Sequence, residues 1–101
     1  MIVQGDVFFT KINDIPKKAK SRKKTERGYV IAEGEATGHA HVIDEDIEFY
    51  ESKGVLYLRT DRDVQVRHEE HKPVTLGKGI WKVGIVREYD PFVRQERIVK
   101  D

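Results

Sequence analysis

The chain contains no cysteine. Disulfides and thiolate metal sites are therefore excluded, and any metal has to be held by His, Asp or Glu. Long apolar runs are missing too: none approaches the roughly 18 residues that a membrane helix needs. The opening Met1-Ile2-Val3-Gln4-Gly5-Asp6 lacks a basic flank followed by an apolar stretch, so the expectation is a cytoplasmic protein without a membrane anchor. No internal repeat and no convincing amphipathic helix can be traced. A chain of 101 residues is also too short for two independent cores, which predicts one domain over residues 1–101.

Apolar residues make up 38% of the chain and charged residues 37%, enough for a modest core beneath a heavily solvated surface. The net charge of +1 conceals a local asymmetry. Lys17, Lys18, Lys20, Arg22, Lys23, Lys24 and Arg27 share their segment with a single acid, Glu26. From Gly28 to Ser52 the sign reverses, with Glu33, Glu35, Asp44, Glu45, Asp46, Glu48 and Glu51 and no Lys or Arg. This pattern predicts a polarised surface. The basic run, at about 15–27, has no apolar face and reads as an exposed loop.

The apolar residues are spaced as in strands. Val3 to Ile12 reads as a β-rich opening strand, followed by strands at Gly28 to Ala32 and His39 to Ile43. Ile47 to Glu51 and Val55 to Arg59 flank Ser52-Lys53-Gly54, the strongest hairpin signal in the chain. Val64, Val66 and His68 alternate with Gln65, Arg67 and Glu69, so His68 belongs to the apolar face of a half-buried strand. Ile80 to Tyr89 carries Trp81, Val83 and Ile85 on one face, and a last strand is expected at Arg97 to Val99. About eight short strands and Gly-rich turns predict an all-β barrel or sandwich, with the barrel favoured.

The four histidines form two pairs, His39-Ala40-His41 and His68-Glu69-Glu70-His71. Residues i and i+2 of a strand share a face, so His39 and His41 can converge without special geometry. His71 can swing back beside His68 where the chain turns before Pro73. Four imidazoles suit a divalent transition metal such as Zn, Fe, Ni, Mn or Cu. Three imidazoles with a carboxylate from Glu35, Glu45, Glu69 or Glu70 would leave room for water or a small-molecule substrate. Glu69 and Glu70 are the candidate catalytic bases, and Thr37 is a candidate hydrogen-bond donor to His39 or substrate.

Gly34, His39, His41 and Glu45 or Glu48, followed by Gly54, resemble the first motif of cupins. That resemblance implies a small β-barrel holding a metal through three histidines and a glutamate. In cupins the last histidine follows a Pro-x-Gly turn, whereas His68 and His71 precede Pro73. The wider pattern runs from Gly34-Glu35-Ala36-Thr37-Gly38-His39-Ala40-His41 through His68-Glu69-Glu70-His71 to Arg87-Glu88-Tyr89-Asp90-Pro91. It is similar to short prokaryotic and phage proteins and implies no activity.

Three function classes stay open on the sequence. The first is a metal-binding domain, with metal-dependent hydrolysis or oxygen chemistry as reaction classes. The second is metal-free ribonuclease-like catalysis or nucleic-acid binding. One histidine would remove a proton and another donate one, while Lys17, Lys18, Lys20, Arg22, Lys23 and Lys24 hold phosphates. The third is a sensor or interaction module in which the cluster is structural.

Overall fold

The computed structural model describes residues 1–33 and 38–86. The expected strand at Arg97 to Val99, the Arg87 to Pro91 segment, Glu35 and Thr37 lie outside them. Among the described residues the chain forms ten strands. They are β1 (Ile2–Gln4), β2 (Val7–Ile12), β3 (Lys20–Ser21), β4 (Tyr29–Glu33) and β5 (Ala40–Ile43), then β6 (Glu48–Ser52), β7 (Val55–Thr60), β8 (Val64–Arg67), β9 (Val74–Leu76) and β10 (Gly79–Ile85).

All pairings are antiparallel, and they build a six-stranded sheet in the order β1-β2-β10-β7-β6-β3 and a four-stranded sheet in the order β4-β5-β8-β9. The all-β expectation therefore holds in its sandwich form. The favoured barrel does not, because no strand pairing closes either sheet onto the other among the described residues. The core lies between the two inner faces. Val7, Phe9, Phe49, Leu58, Trp81 and Val83 come from the larger sheet, and Ile31, Ile43, Val64, Val66 and Leu76 from the smaller one. Alternation explains the choice: in β8 Val64 and Val66 are buried while Gln65 and Arg67 are exposed. Trp81 is a core residue, as its shared face with Val83 predicts, and its indole N–H donates to the Gly77 carbonyl at 2.9 Å.

Three local readings need correction. The opening strand is two strands, because Gln4 pairs with Val7 and the intervening Gly5-Asp6 makes a two-residue turn with Gly5 at φ 61°. A glycine at the first central position is what a type II′ hairpin turn requires. The two shortest strands, β3 and β9, escape a pattern analysis because two or three residues cannot display a period. The basic run is solvent-exposed as expected, but it is tied down: β3 pairs with β6, and the Arg22 N–H donates to the Phe49 carbonyl at 2.7 Å.

The expected charge separation is partly cancelled by the fold. Arg22 pairs with Glu51, Lys24 with Asp46 at 3.7 Å and Arg27 with Glu33 at 3.8 Å, so cations of the basic run meet acids of the following segment. Such exposed pairs contribute little stability each, and packing between the sheets carries the fold.

Leu58 is fully buried at the centre of that packing. Leu58→Ala is expected to cost about 2–5 kcal/mol in urea unfolding. The same truncation at Val3, which is 56% exposed, should stay within about 0.5 kcal/mol.

Candidate histidine site

The antiparallel register of β5 and β8 pairs Val42 with Arg67 and Ile43 with Val66. Continued past the last pair, it sets His68 opposite His41, Glu69 opposite Ala40 and Glu70 opposite His39. The side chains follow that order. The His41 and His68 rings stand 4.4 Å apart between centroids, His39 and His68 5.7 Å, His68 and His71 4.8 Å, and His41 and His71 6.2 Å. The two sequence pairs thus converge on one site, with His68 touching all three of the others. His41 lies in β5, whose four residues are all buried, whereas His39 sits just before that strand.

His41 is 2% exposed and has a defined tautomer. Its Nδ1 lies 2.7 Å from Oε1 of Gln4, itself buried. Gln4 Nε2 donates to the carbonyls of Val66 and Lys72, both at 2.9 Å, which fixes which end of the amide is nitrogen. Its oxygen can then only accept, so His41 Nδ1 carries the proton. In the neutral ring Nε2 is a bare lone pair, and it faces Asp6 Oδ1 at 3.6 Å. Burial pulls the His41 pKa below the usual imidazole value, and the neighbouring His68 and His71 lower it further against the opposing pull of Asp6.

His68 has the opposite tautomer. Its Nδ1 accepts the backbone N–H of Glu70 at 3.0 Å and of His71 at 3.3 Å, which leaves the ring proton on Nε2. His71 packs on the β1–β2 turn: a Cβ added to Gly5 would lie 2.6 Å from His71 Nε2. Gly5 is thus required for its positive φ, and a side chain there would also push the exposed His71 ring aside.

The expected catalytic carboxylates are both engaged with the β5 segment. Glu69 Oε1 accepts the Ala40 N–H at 2.8 Å, and that hydrogen bond is the main cause of a carboxyl pKa below the usual range. A carboxylate held so is a weak base, and its role is to latch the β8–β9 connection onto β5. Glu70 lies 3.5 Å from His39 Nδ1 and is exposed. Glu45 accepts the Gln65 N–H at 2.9 Å, and Glu48 on β6 bridges Arg59 and the Tyr50 hydroxyl, so neither meets the histidines. Among the described residues, no three His, Asp or Glu side chains stand together ready to hold a metal ion.

Sequence reasoning missed Gln4 and Asp6, the two polar partners of His41. A signal for Asp6 existed, since Gly-Asp between apolar stretches is a two-residue hairpin dipeptide. A lone Gln in an apolar strand start carries none.

The His41 shift makes acid stability testable. Its folded pKa lies below the unfolded value of about 6.5, so its contribution is fully present above that pH and is lost as pH falls through the folded value. Chelator-treated protein should lose urea stability between pH 7.5 and 5, and His41→Gln should lose less over the same interval. An equal loss in the variant would remove His41 as the cause.

No curated protein and no solved structure matches the chain. A family model spans residues 3–86, which include Gln4, Asp6 and all four histidines, and by that match the chain belongs to the family described as Domain of unknown function (DUF8820).

Proposed function

We propose that the domain binds a divalent transition metal at the histidine site, with His41 Nε2 and Asp6 as the first ligands. One observation carries the reading: a bare imidazole lone pair and a carboxylate oxygen face each other at 3.6 Å, with the ring proton held away on Nδ1 by Gln4. Two electron-rich atoms so placed repel unless a cation lies between them, and burial disfavours the proton. Two ligand atoms on a tetrahedral ion are roughly 3.3 Å apart, close to the observed spacing. Gln4 also does for His41 what a metal-bound histidine requires of its outer partner, since it fixes the tautomer and aims the free nitrogen.

The remaining ligands come from side chains that can turn. His71 is exposed and His39 is partly exposed, so either ring reorients at little cost. His68 is the least available, because coordination through Nδ1 would displace two backbone N–H groups at about 1 kcal/mol each. A set of His41, Asp6 and one further imidazole makes three protein ligands and leaves the fourth position open, as in catalytic zinc sites rather than closed structural ones. Such a metal would polarise a substrate oxygen or lower the pKa of bound water, which makes hydrolysis the reaction class this set serves.

Untagged protein titrated with Zn²⁺ or Co²⁺ at neutral pH tests this. A metal at a hundredfold excess over its Kd should add about 2.7 kcal/mol and raise Tm on the order of 10 °C. Asp6→Asn and His41→Phe should abolish the rise, and Gln4→Leu should weaken binding about 10–100-fold while leaving every ligand in place. Protein that binds no metal on titration and melts at one temperature with and without it would end the reading.

A second reading rests on the opposed tautomers. His41 Nε2 can accept a proton while the neighbouring His68 ring, 4.4 Å away between centroids, carries one on Nε2, an acid–base pair that needs no metal. Activity that survives chelator and fails in His41→Gln would favour it.

A further inference from the structure

A groove of about 370 Å³ lies on another part of the surface, where the β2–β3 connection passes the β6–β7 turn. Lys17 and Lys18 reach it from the connection and Lys53 from the turn, while Pro16, Val55 and Tyr57 supply apolar walls. We propose that this groove binds single-stranded nucleic acid, with the backbone phosphates on the three lysines and a base stacked on Tyr57.

The cations of the basic run and of the β6–β7 turn divide into those paired with a carboxylate and those without one among the described residues, Lys20 and Lys23 belonging to the second group. Arg22, Lys24 and Arg27 are committed to Glu51, Asp46 and Glu33. Lys17, Lys18 and Lys53 have no carboxylate within 4.0 Å among the described residues. The lysines with uncommitted charge thus include all three that line the groove, and a phosphate meets no competing anion there.

Lys53 adds an independent point. It occupies φ 52° beside Gly54 at φ 80°, the two left-handed positions of a type I′ turn. Asn, Asp or Gly serves the first position at least cost, and an ordinary side chain there is strained. The turn itself gains nothing from a lysine. The groove gains its third cation.

The apolar walls decide against a free phosphate. In β7 the buried Leu58 points inward, so Tyr57 belongs to the outer face with Arg59, and its register partner Tyr50 shares that face. A tyrosine ring beside cations on a solvent-facing sheet offers a base a stacking surface that depends little on sequence. Bases in a duplex are already stacked on one another, so a single strand fits this chemistry.

The test is fluorescence anisotropy with labelled dT and rU 12-mers, their duplexes and heparin, over a range of salt. Combined Lys17→Ser, Lys18→Ser and Lys53→Ser should flatten the log-affinity against log-salt slope by about 2, at roughly 0.7 per lost phosphate contact. Tyr57→Leu should weaken binding about 10-fold at unchanged slope, and Tyr57→Phe should restore it. Lys20→Ser with Lys23→Ser should change neither quantity, and melting curves confirm that each variant folds. The proposal is overturned if no 12-mer binds at low salt or if duplex binds more tightly than single strand. It is equally overturned if Tyr57→Leu binds like the unmodified protein while heparin competes as well as the oligonucleotide, which would mark a generic polyanion surface. Metal binding takes no part in these outcomes, so the groove and the histidine site stand or fall separately.

Discussion

The buried carboxamide of Gln4 ties the larger sheet to the smaller one, and no strand pairing connects the two among the described residues. It leaves β1, at the edge of the larger sheet, and donates to the carbonyls of Val66 and Lys72 on either side of the second histidine pair. Its oxygen takes the His41 proton on β5. One side chain thus holds the first strand, the end of β8 and the start of β5 in register with each other. All of its hydrogen-bonding groups but one lone pair are used, and a buried amide with that many partners has a single orientation. The site inherits that orientation: the His41 tautomer, the direction of Nε2 and the approach of Asp6 all depend on it.

The electrostatics of the cluster follow from the same constraint. At His41, burial first and then the His68 ring 4.4 Å away disfavour a second proton on the imidazole. His41 is the most buried of the four. His68 turns Nδ1 toward the Glu70 and His71 amides. The rings therefore divide into a fixed inner pair, His41 and His68, and an outer pair, His39 and His71, with room to move. Asp6 supplies the only carboxylate that faces the inner ring among the described residues. It is held by the Gly5 turn and by the Val86 N–H, which donates to its carbonyl at 2.7 Å.

Much of this was legible in the sequence because it depends on short-range periodicity. The alternation of Val64, Val66 and His68 placed one histidine on the inward face, and the i, i+2 spacing of His39 and His41 placed two more on one strand end. Antiparallel pairing of β5 and β8 did the rest. What stayed hidden depends on contacts across 37 and 62 residues of chain, as in the bonds of Gln4 to His41 and Val66. A residue that satisfies a distant donor leaves no local period. The hydrogen bond of Glu69 was hidden for a related reason: only the register shows that Glu69 is opposite the Ala40 amide. The open sandwich was obscured too, since eight short strands and turns are equally consistent with closure.

The same reasoning changes how the charge pattern is read. A basic run followed by an acidic segment suggests two separate surfaces while the chain is linear. In the fold the run is stitched by β3 to β6, and cations meet acids on three separate pairs. What then matters is which charges the pairing leaves over. Lysines on the connection and on a strained turn position lie beside a tyrosine of the outer sheet face, in a groove that the sequence order of these residues does not suggest. Tyr57 is separated from Lys17 by four whole strands, β3 to β6, and its ring is an aromatic surface that the basic run lacks within its own sequence. Folding therefore sets charge from the connection beside apolar surface of the sheet, a juxtaposition that the linear order of the residues does not show.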